Sequence, residues 1–315
     1  CRRHANKENL EPVQDYFKTR KGLKKLQETF VITPVDKAAS NFAFVCPKHY
    51  LEILNKELGV TVRNGSIEMN GNRVYRPSTE TAEEIVDRHS QETKRLTDVQ
   101  LSNENRKIPL LWASPKFHKN PIKYRFIAGA KHASTKQLSV LLTDILFHMK
   151  EHWERYTSTV SERKGYRVFW SINYSGQVSQ MLRRNKLPAN NTLNIADFST
   201  LYTSFEHDLI INHAVALMSM LFKHSSHKYI SVGRKAYYHS NEARNGKKYT
   251  LEDVIKLTEY LVRNSFVQYA GRIFHQTSGI PMGANYSPVL ADLCLAHMEY
   301  MFLISNPTAG YRLGL

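Results

Sequence analysis

The most constraining feature of the sequence is a glycine-rich loop that runs directly into an apolar helix. In the segment SGIPMGANYSPVLADL, Gly279, Pro281 and Gly283 occupy alternate positions. Glycine adopts backbone conformations that other residues avoid, and it lets another molecule approach the backbone closely. Ser287 and Pro288 follow, and this pair is typical of a helix N-cap with a proline in the first turn. The segment therefore predicts a shaped loop that feeds a helix.

The chain is strongly basic. Its 315 residues include 44 Lys and Arg against 28 Asp and Glu, which gives a formal net charge of +16. Such a surface attracts polyanions, because each neutralised phosphate of a nucleic acid releases bound counterions. Nucleic acid is therefore the predicted partner, and an ordinary globular protein with a basic surface is the alternative.

The cysteines and the apolar segments constrain the compartment. Cys1, Cys46 and Cys294 are odd in number and far apart, so they indicate neither a disulfide framework nor a CxxC metal pair. The longest apolar run, from Ala214 to Phe222, is far shorter than the ~20 residues that a membrane span needs. A reducing compartment is favoured, and no membrane is predicted as a partner.

Periodicity and turn signals predict a mixture of helices and strands. In the first half they predict basic helices in 9–30 broken near Gly22, strands at 30–35 and 41–46, helices at 48–57 and 79–96, a hairpin within 108–130 and an amphipathic helix at 134–153. In the second half they predict a helix from Ser175 to about Arg184, a buried strand ending at Asp197, a helix at 208–222, a loop or hairpin over 223–249, a helix capped by Thr250 and Asp253, and a hairpin turning at Ala270-Gly271. Strands and helices without regular βαβ alternation indicate an α+β fold.

Asp197 is the carboxylate with the clearest predicted role. It follows the apolar stretch Leu193 to Ala196, and a charge at the end of a buried strand is costly unless a partner neutralises it. Mg²⁺ would serve, because this ion prefers hard oxygen ligands and phosphate oxygens. Tyr202 follows closely enough to form one wall of the same pocket. The alternative is a strand-end aspartate that caps the following turn.

A second candidate site is a cluster of cations within the 108–130 hairpin. Its members are Lys116, His118, Lys119, Lys123 and Arg125, interleaved with Phe117 and Tyr124. Cations on such an arm suit a triphosphate or a nucleic-acid backbone, and arginine can hold a phosphate through two parallel hydrogen bonds. The alternative is a solvated basic loop.

His148 and His152 lie one helical turn apart, which is compatible with zinc binding. The glutamate of an HExxH motif is missing, and the sequence offers no third ligand nearby. Zinc is therefore not predicted at this pair.

Taken together, these segments resemble the fingers and palm of a reverse transcriptase, most closely the Penelope-like retroelement group, whose polymerases are distant relatives of telomerase. GIPMGANYSPVLADL matches the GxPxGxxxSPxLAxL block of that family at eight positions. DFSTLYTSFEHDL resembles the block that bears the first catalytic aspartate, and SPKFHKNPIKYRFI resembles the fingers segment in which Pro-Lys is followed by Arg-x-Ile. TPVDKAASNFAFV and FWSINYSGQV extend the resemblance over about 31–302.

The resemblance implies a right-hand polymerase with fingers and an incomplete palm. It assigns 1–30 to a basic helical segment, 31–190 to a fingers-like region, and 191–315 to a partial palm with an insertion at 223–249. The implied activity is that of an RNA-directed DNA polymerase of retroelement origin, which adds deoxynucleotides to a primer 3′-hydroxyl. Its implied partners are an RNA template, a DNA primer and deoxynucleoside triphosphates, in a nuclear or cytoplasmic compartment.

The resemblance also implies roles for single residues. Asp197 would coordinate two Mg²⁺ ions, the backbone carbonyl of Phe198 would help to hold one, and Tyr202 would lie under the sugar of the incoming nucleotide. Lys116 and Arg125 would hold the triphosphate. The loop from Gly279 to Gly283, with Pro281 and Met282, would let its backbone approach the nucleotide and the templating pair, and Lys119, Lys123 and Ser287 would contact nucleic acid.

One expected element of these polymerases does not occur in the sequence. They carry a Tyr-x-Asp-Asp hairpin soon after the glycine-loop helix, and this chain ends at NPTAGYRLGL without it. A single aspartate cannot hold two metal ions about 4 Å apart against their mutual repulsion. The chain is therefore expected to be a truncated or decayed polymerase. The alternative is a non-catalytic nucleic-acid-binding protein derived from a polymerase remnant. A third candidate is a telomerase-like enzyme, which would need a dedicated RNA-binding domain upstream, and residues 1–30 are too short to be one.

Overall fold

The computed structural model shows a mixed α+β protein. It describes residues 20–63, 66–98, 100–169, 171–172, 174–184, 196–198, 200–241 and 246–312. The elements of the first part are α1 (Arg20–Thr29), β1 (Val31–Val35), β2 (Ala38–Val45), α2 (Pro47–Leu58), β3 (Val60–Arg63), β4 (Ser66–Met69), β5 (Tyr75–Pro77), α3 (Ala82–Thr97), β6 (Leu110–Lys116), β7 (Lys123–Gly129), α4 (Lys136–Lys164) and α5 (Ser175–Arg184). Those of the second part are α6 (Leu201–Ser204), α7 (His207–Ser225), β8 (Tyr229–Val232), β9 (Ala236–His239), β10 (Lys248–Tyr249), α8 (Leu251–Arg263), β11 (Phe266–Tyr269), β12 (Arg272–Gln276), α9 (Ser287–Ser305) and α10 (Pro307–Arg312). The α+β prediction is confirmed.

The described residues form two compact units. Unit 1 comprises those up to Gly71 together with Leu111–Ile127, and unit 2 comprises Asn72–Leu110 and those from Ala128 onward. The division at residues 30 and 190 that the resemblance implies stays a prediction.

Unit 1 is built on two hairpins. Strands β1 and β2 pair in antiparallel fashion, with Thr33 opposite Ala43. Strands β6 and β7 are neighbours in a second sheet, and the first hairpin is tied to β6 by side-chain bonds. The Thr33 hydroxyl donates to the Ala113 carbonyl at 2.8 Å, and the Ser114 hydroxyl donates to the Pro34 carbonyl at 2.7 Å. The Asp36 N–H donates to the Pro115 carbonyl at 3.1 Å, so the β1–β2 turn is held against the end of β6.

Unit 2 has a strand layer and a helical core. Strand β12 pairs antiparallel with both β5 and β11, and Gln268 of β11 has a parallel partner in Leu110. Helices α4, α7, α8 and α9 pack their buried faces together. The largest fully buried side chains of this core include Trp153, Tyr286, Leu142, Ile145 and Ile210.

Two helices begin with a capping box. The Glu84 N–H donates to the Thr81 hydroxyl at 3.2 Å, and the Thr81 N–H donates to the Glu84 carboxylate at 2.7 Å. Thr250 and Asp253 make the same reciprocal pair before α8, which confirms the box predicted there. Each box satisfies two N–H groups that the first turn of a helix leaves without a partner.

Several element predictions need correction. Helix α1 runs through Gly22 without a break, because one interior glycine costs a helix only about 1 kcal/mol. Helix α4 continues beyond Trp153 to Lys164, since Thr157 is also buried and keeps the helix against the core. Helix α3 occurs where a helix is predicted and buries one face, formed by Ile85, Val86, His89, Thr93 and Leu96, while its other residues are exposed or half-buried. Within 223–249 the predicted hairpin is formed by β8 and β9, and β10 adds a third strand on the other side of β8.

Helix α9 is apolar enough to resemble a membrane span. It has 19 residues, and 56% of its apolar stretch is buried inside the protein. Its buried side chains include Leu290, Leu293 and Cys294, which belong to the unit 2 core. Core packing thus accounts for part of its apolar composition, whereas Met301 and Phe302 near its C-terminal end are exposed.

Candidate functional site

The glycine loop connects β12 to α9 and is held from several sides. Gly279 has a φ of 84° and Gly283 a φ of 123°, both in the region that favours glycine. Gly279, Ile280 and Pro281 are buried, whereas Gly283 is exposed. The loop therefore has a buried first half and an exposed tip.

The first half of the loop is hydrogen-bonded to the segment that follows Asp197. The Gly279 N–H donates to the Phe205 carbonyl at 2.6 Å, and the Ile280 N–H donates to the Tyr202 carbonyl at 2.7 Å. The Ser278 hydroxyl donates to the same Phe205 carbonyl at 3.1 Å. Two sequence blocks that lie far apart in the chain are thus joined through their backbones.

Close packing against another backbone segment requires glycine at position 279. A Cβ at this position would lie 2.3 Å from the Tyr202 carbonyl oxygen and 2.8 Å from the Thr203 Cα. Both atoms belong to helix α6, so neither can yield as a flexible side chain would. The packing against the α6 backbone by itself accounts for a glycine at this position, and the approach of a nucleotide to Gly279 stays a prediction.

The second half of the loop is fixed to α9 and to the end of β7. The Ala128 N–H donates to the Met282 carbonyl at 2.8 Å. The Ser287 hydroxyl donates to the Pro281 carbonyl at 2.7 Å, and its side chain is buried. The N-cap of α9 is Tyr286, so the prediction of a Ser287 cap is wrong. Since its hydroxyl is used to hold the loop, Ser287 does not face solvent.

The side chain of His207 is hydrogen-bonded to the glycine loop. The buried His207 ring donates from Nε2 to the Gly279 carbonyl at 3.0 Å, since a carbonyl can only accept. Burial lowers the pKa of His207, and the bond to Gly279 opposes that shift. The neutral ring with its proton on Nε2 is the form that fits this position.

A small cavity of about 30 Å³ lies behind the loop in unit 2. Its lining includes Pro281, Tyr286 and His89. His89 Nδ1 lies 2.7 Å from the Ser134 hydroxyl, while its Nε2 is buried without a hydrogen-bond partner. A space of this size holds about one or two water molecules. Burial, followed by the nearby Arg88 charge, lowers the pKa of His89 to about 3.

Asp197 lies in a short irregular segment. Ala196, Asp197 and Phe198 are exposed and outside any strand, so the prediction that Asp197 ends a buried strand is wrong for these three residues. The apolar stretch at 193–195 lies outside the described residues. In the part of the chain that the structure describes, no three His, Cys, Asp or Glu side chains are grouped closely enough to hold a metal ion.

Tyr202 and Phe198 differ in exposure. Tyr202 lies in α6, and its half-buried ring packs against the unit 2 core. The Phe198 side chain is 62% exposed. The short helix that carries Tyr202 is therefore anchored on two sides, by the core and by the glycine loop.

The basic arm of the β6–β7 hairpin belongs to unit 1. Lys119 and Lys123 are exposed, and Lys116 and Arg125 are half-buried. Arg125 forms an ion pair with Asp36, in which Nη1 lies 2.9 Å from Oδ1, and the Asp36 side chain is only 3% exposed. Burial lowers the pKa of Lys116, the Arg125 charge lowers it further, and Asp36 opposes the shift.

Asp36 was not among the predicted site residues. Its Oδ2 is buried and has no hydrogen-bond partner, although Oδ1 is paired with Arg125. Removing a carboxylate from water is costly without such a partner. The sequence does show an aspartate in a turn between two apolar strands. Aspartate is common in turns, so this position alone predicts no pairing with Arg125.

The histidine pair predicted to be compatible with zinc is used in packing. His152 Nε2 lies 2.8 Å from His224 Nδ1, and the His148 and His152 rings both pack against Tyr238. Burial lowers the pKa of His152 to about 4, so the ring is neutral near pH 7.

The fold can now be compared with known proteins. No protein-family model matches the chain, and no curated protein matches its sequence. The chain is similar to the solved structure of apo telomerase from Candida tropicalis truncated from its C-terminal domain, with a TM-score of 0.55 and 10% sequence identity over 92% of this chain. The chain has a reverse-transcriptase-like fold. It spans 51% of the length of that telomerase chain.

Two further telomerase structures from the same organism are also similar to this chain. The complex with a TWJ fragment of telomeric RNA has a TM-score of 0.49 and 10% identity, covering 90% of this chain and 41% of that one. The apo telomerase has a TM-score of 0.45 and 11% identity, covering 91% and 48%. The Penelope-like type stays a prediction.

Proposed function

We propose that this chain contains the fingers and part of the palm of an RNA-directed DNA polymerase of retroelement origin. The single observation that carries the proposal is the backbone pairing of Gly279 and Ile280 with Phe205 and Tyr202. The resemblance assigns both segments to one nucleotide-binding site, and the fold holds them within hydrogen-bond distance. The Penelope-like type is part of this proposal, supported by the eight matched positions of the loop-helix block.

Asp197 is proposed to hold Mg²⁺, with the Phe198 carbonyl as an additional oxygen ligand. An exposed carboxylate beside an irregular backbone fits one hard cation. Within the described residues no three His, Cys, Asp or Glu side chains are grouped closely enough to hold a metal ion, and the second ion that the resemblance implies stays a prediction. When bound, such ions stabilise the charge that develops as a primer 3′-hydroxyl attacks the α-phosphate of a deoxynucleotide.

The basic arm is proposed to bind the triphosphate through Lys116 and Arg125. Asp36 holds the Arg125 guanidinium through one edge, which leaves its remaining N–H donors for phosphate oxygens. Burial destabilises the charge of Lys116, so an incoming phosphate would restore a favourable environment for it. Lys119 and Lys123 are proposed to contact the nucleic-acid backbone. Replacing each by Gln should lower the slope of log K against log salt by about one.

The proposal is tested by nucleotide-dependent binding of a primer–template. A fluorescent DNA primer on an RNA template with an unpaired overhang is bound by the chain in Mg²⁺, and its dissociation rate is measured with complementary and with mismatched deoxynucleotides. We expect the complementary nucleotide alone to slow dissociation by about tenfold, which corresponds to about 1.4 kcal/mol. Asp197→Asn should remove this difference, whereas the exposed control Asp144→Asn should keep it.

The alternative function gives a different result in the same assay. A non-catalytic nucleic-acid-binding protein would bind the primer–template with a strong salt dependence and would ignore the nucleotide. Equal dissociation rates with all nucleotides, and no effect of Asp197→Asn, would favour that alternative. In a protein that also carries the Tyr-x-Asp-Asp element, Asp197→Asn should abolish primer extension while leaving template affinity nearly unchanged.

A further inference from the structure

The β1–β2 hairpin presents aromatic side chains to solvent. Phe42 and Phe44 alternate with the buried Ala43 and Val45, so they lie on the outer face of β2. Phe42 is 59% exposed and Phe44 is 41% exposed. Large aromatic side chains at this exposure mark an interaction surface when they are neighbours.

The neighbouring strand and the end of α1 extend this surface. Ile32 lies opposite Phe44, and Pro34 lies opposite Phe42. Phe30, which is 37% exposed, meets Phe44 edge to face with ring centroids 6.1 Å apart. We call Phe30, Ile32, Pro34, Phe42 and Phe44 the aromatic face.

The opposite side of the hairpin is already used inside unit 1. Thr33 is buried and bonded to Ala113 of β6, and it pairs across the hairpin with the buried Ala43. Side chains alternate between the two faces of a strand, so the residues that pack into the unit 1 core lie on the inner face of the hairpin. The aromatic face therefore does not arise from core packing.

The charge around the aromatic face is positive. Residues 20–48 contain six Lys and Arg against two acidic residues. Lys24 and Lys25 are exposed on α1, which ends one residue before Phe30, and Lys37 is exposed at the β1–β2 turn. One of the two acids, Asp36, is buried and paired with Arg125. This setting complements a polyanion.

We propose that the aromatic face binds unpaired bases of a single-stranded nucleic acid, with Lys24 and Lys25 contacting its phosphates. Exposed rings on a strand surface offer stacking platforms, and every base has a face that can stack on them. A duplex keeps its bases stacked on each other, so it cannot use these rings. The surface does not depend on nucleotide addition, and it would serve a non-catalytic binder as well.

The first test separates stacking from charge. Affinity for a fluorescent oligouridine of about 12 nucleotides is measured over a range of salt concentrations. Phe42→Ala with Phe44→Ala should weaken binding by about tenfold or more and leave the salt slope unchanged. Lys24→Gln with Lys25→Gln should reduce the slope by roughly one for each lysine. The double phenylalanine variant should leave the affinity for a duplex of the same length unchanged, because a duplex has no unpaired bases to stack on the rings.

Matched controls keep the result interpretable. Val62 and Ile67 form an exposed cross-strand pair on the β3–β4 hairpin of the same unit. Val62→Ala with Ile67→Ala removes a similar exposed apolar surface and should leave oligouridine affinity unchanged. The urea unfolding midpoint is measured for every variant. Phe42→Ala alone removes the more exposed ring and should leave the midpoint nearly unchanged while it still weakens oligouridine binding, which excludes loss of folding as the cause.

The second test locates the contact. Photo-crosslinking of a 5-iodouridine oligonucleotide, followed by mass spectrometry, should identify peptides that contain Phe42 or Phe44. Crosslinks found only elsewhere, or unchanged affinity of the double phenylalanine variant, would overturn the proposal. Self-association that the same variant abolishes, with no change in oligouridine affinity, would assign the face to a second copy instead.

The outcome is independent of the proposed polymerase function. Loss of oligouridine binding in the phenylalanine variant, together with retained tripolyphosphate binding, would separate this surface from Lys116 and Arg125. Failure of the nucleotide-dependent assay would leave the expected effect of Phe42 and Phe44 on oligouridine unchanged.

Discussion

The glycine loop of unit 2 and the basic arm of unit 1 are both assigned to nucleotide binding, yet they are built in opposite ways. The first half of the loop is buried and held by backbone bonds to Phe205 and Tyr202. The arm keeps Lys119 and Lys123 exposed, and Arg125 is held through one ion pair with Asp36. The loop is therefore a rigid support, whereas the arm offers charges that a ligand can reach.

This difference shows that similar functional signals can have different physical origins. A conspicuous glycine can serve the protein interior, as Gly279 does against α6. Lysines on an arm have no comparable interior role, because burying an ammonium group is costly. Changes in the loop should consequently affect folding before binding, and changes in the arm should affect binding with little loss of stability.

The largest expected effect is that of Gly279→Ala. The new methyl group would overlap the α6 backbone at a positive φ, so we expect the free energy of unfolding in urea to fall by about 3 kcal/mol or more. Gly271→Ala is the matched control, because its φ is also positive but no atom lies within 4 Å of the new Cβ. It should cost about 1 kcal/mol. Equal losses would show that the contact with Tyr202 does not matter.

The second largest effect is a loss of folding stability at acidic pH that depends on His89, which lines the cavity behind the glycine loop. The folded pKa of His89 is about 3, below its unfolded value near 6.5, so the unfolded chain binds the proton more readily. Its contribution is complete above pH 6.5 and is lost as the pH falls towards 3. Between pH 7 and pH 5 this should remove about 2 kcal/mol. His89→Gln should flatten the measured dependence, whereas the exposed His118→Gln on the arm should not.

The third effect concerns the bond between α9 and the loop. Ser287→Ala leaves the Pro281 carbonyl without its buried donor, so the free energy of unfolding should fall by about 1 to 2 kcal/mol. Thr159→Ala, which removes an exposed side-chain bond to Arg155, should change it by less than about 0.5 kcal/mol. A similar small change in both variants would mean that the loop is not held by Ser287.

The smallest effect on stability is expected in the arm. Arg125→Lys keeps the charge but removes the planar fork, so tripolyphosphate affinity in calorimetry should fall by about tenfold, or about 1.4 kcal/mol. Stability should change by only about 1 kcal/mol, because lysine keeps a positive charge beside the buried Asp36 carboxylate. Arg73→Lys alters an arginine pair with Glu206 that is exposed on both sides and should leave that affinity unchanged. A loss of stability without a loss of affinity would contradict the contrast between arm and loop.

Much of the fold could be predicted because the signals are local. The hairpin at Ala270-Gly271 and the capping box of Thr250 and Asp253 occur as expected, since both depend on residues only a few positions apart. Helix ends were less accurate, as α4 shows. Its extension to Lys164 depends on packing of Thr157 against distant parts of the chain.

The candidate site could be predicted as a set of segments and not as a set of contacts. The sequence by itself determined a basic α+β chain whose glycine loop feeds an apolar helix, because charge, periodicity and turn chemistry act between near neighbours. Only the tertiary structure decided that Gly279 packs on α6, that Ser287 supports the loop, and that Asp36 holds Arg125. The Gly279 and Asp36 contacts join residues more than 70 positions apart, and burial and hydrogen bonding in the folded chain select them. The exception is the Ser287 bond, which spans only six positions but depends on how the loop is closed by its neighbours.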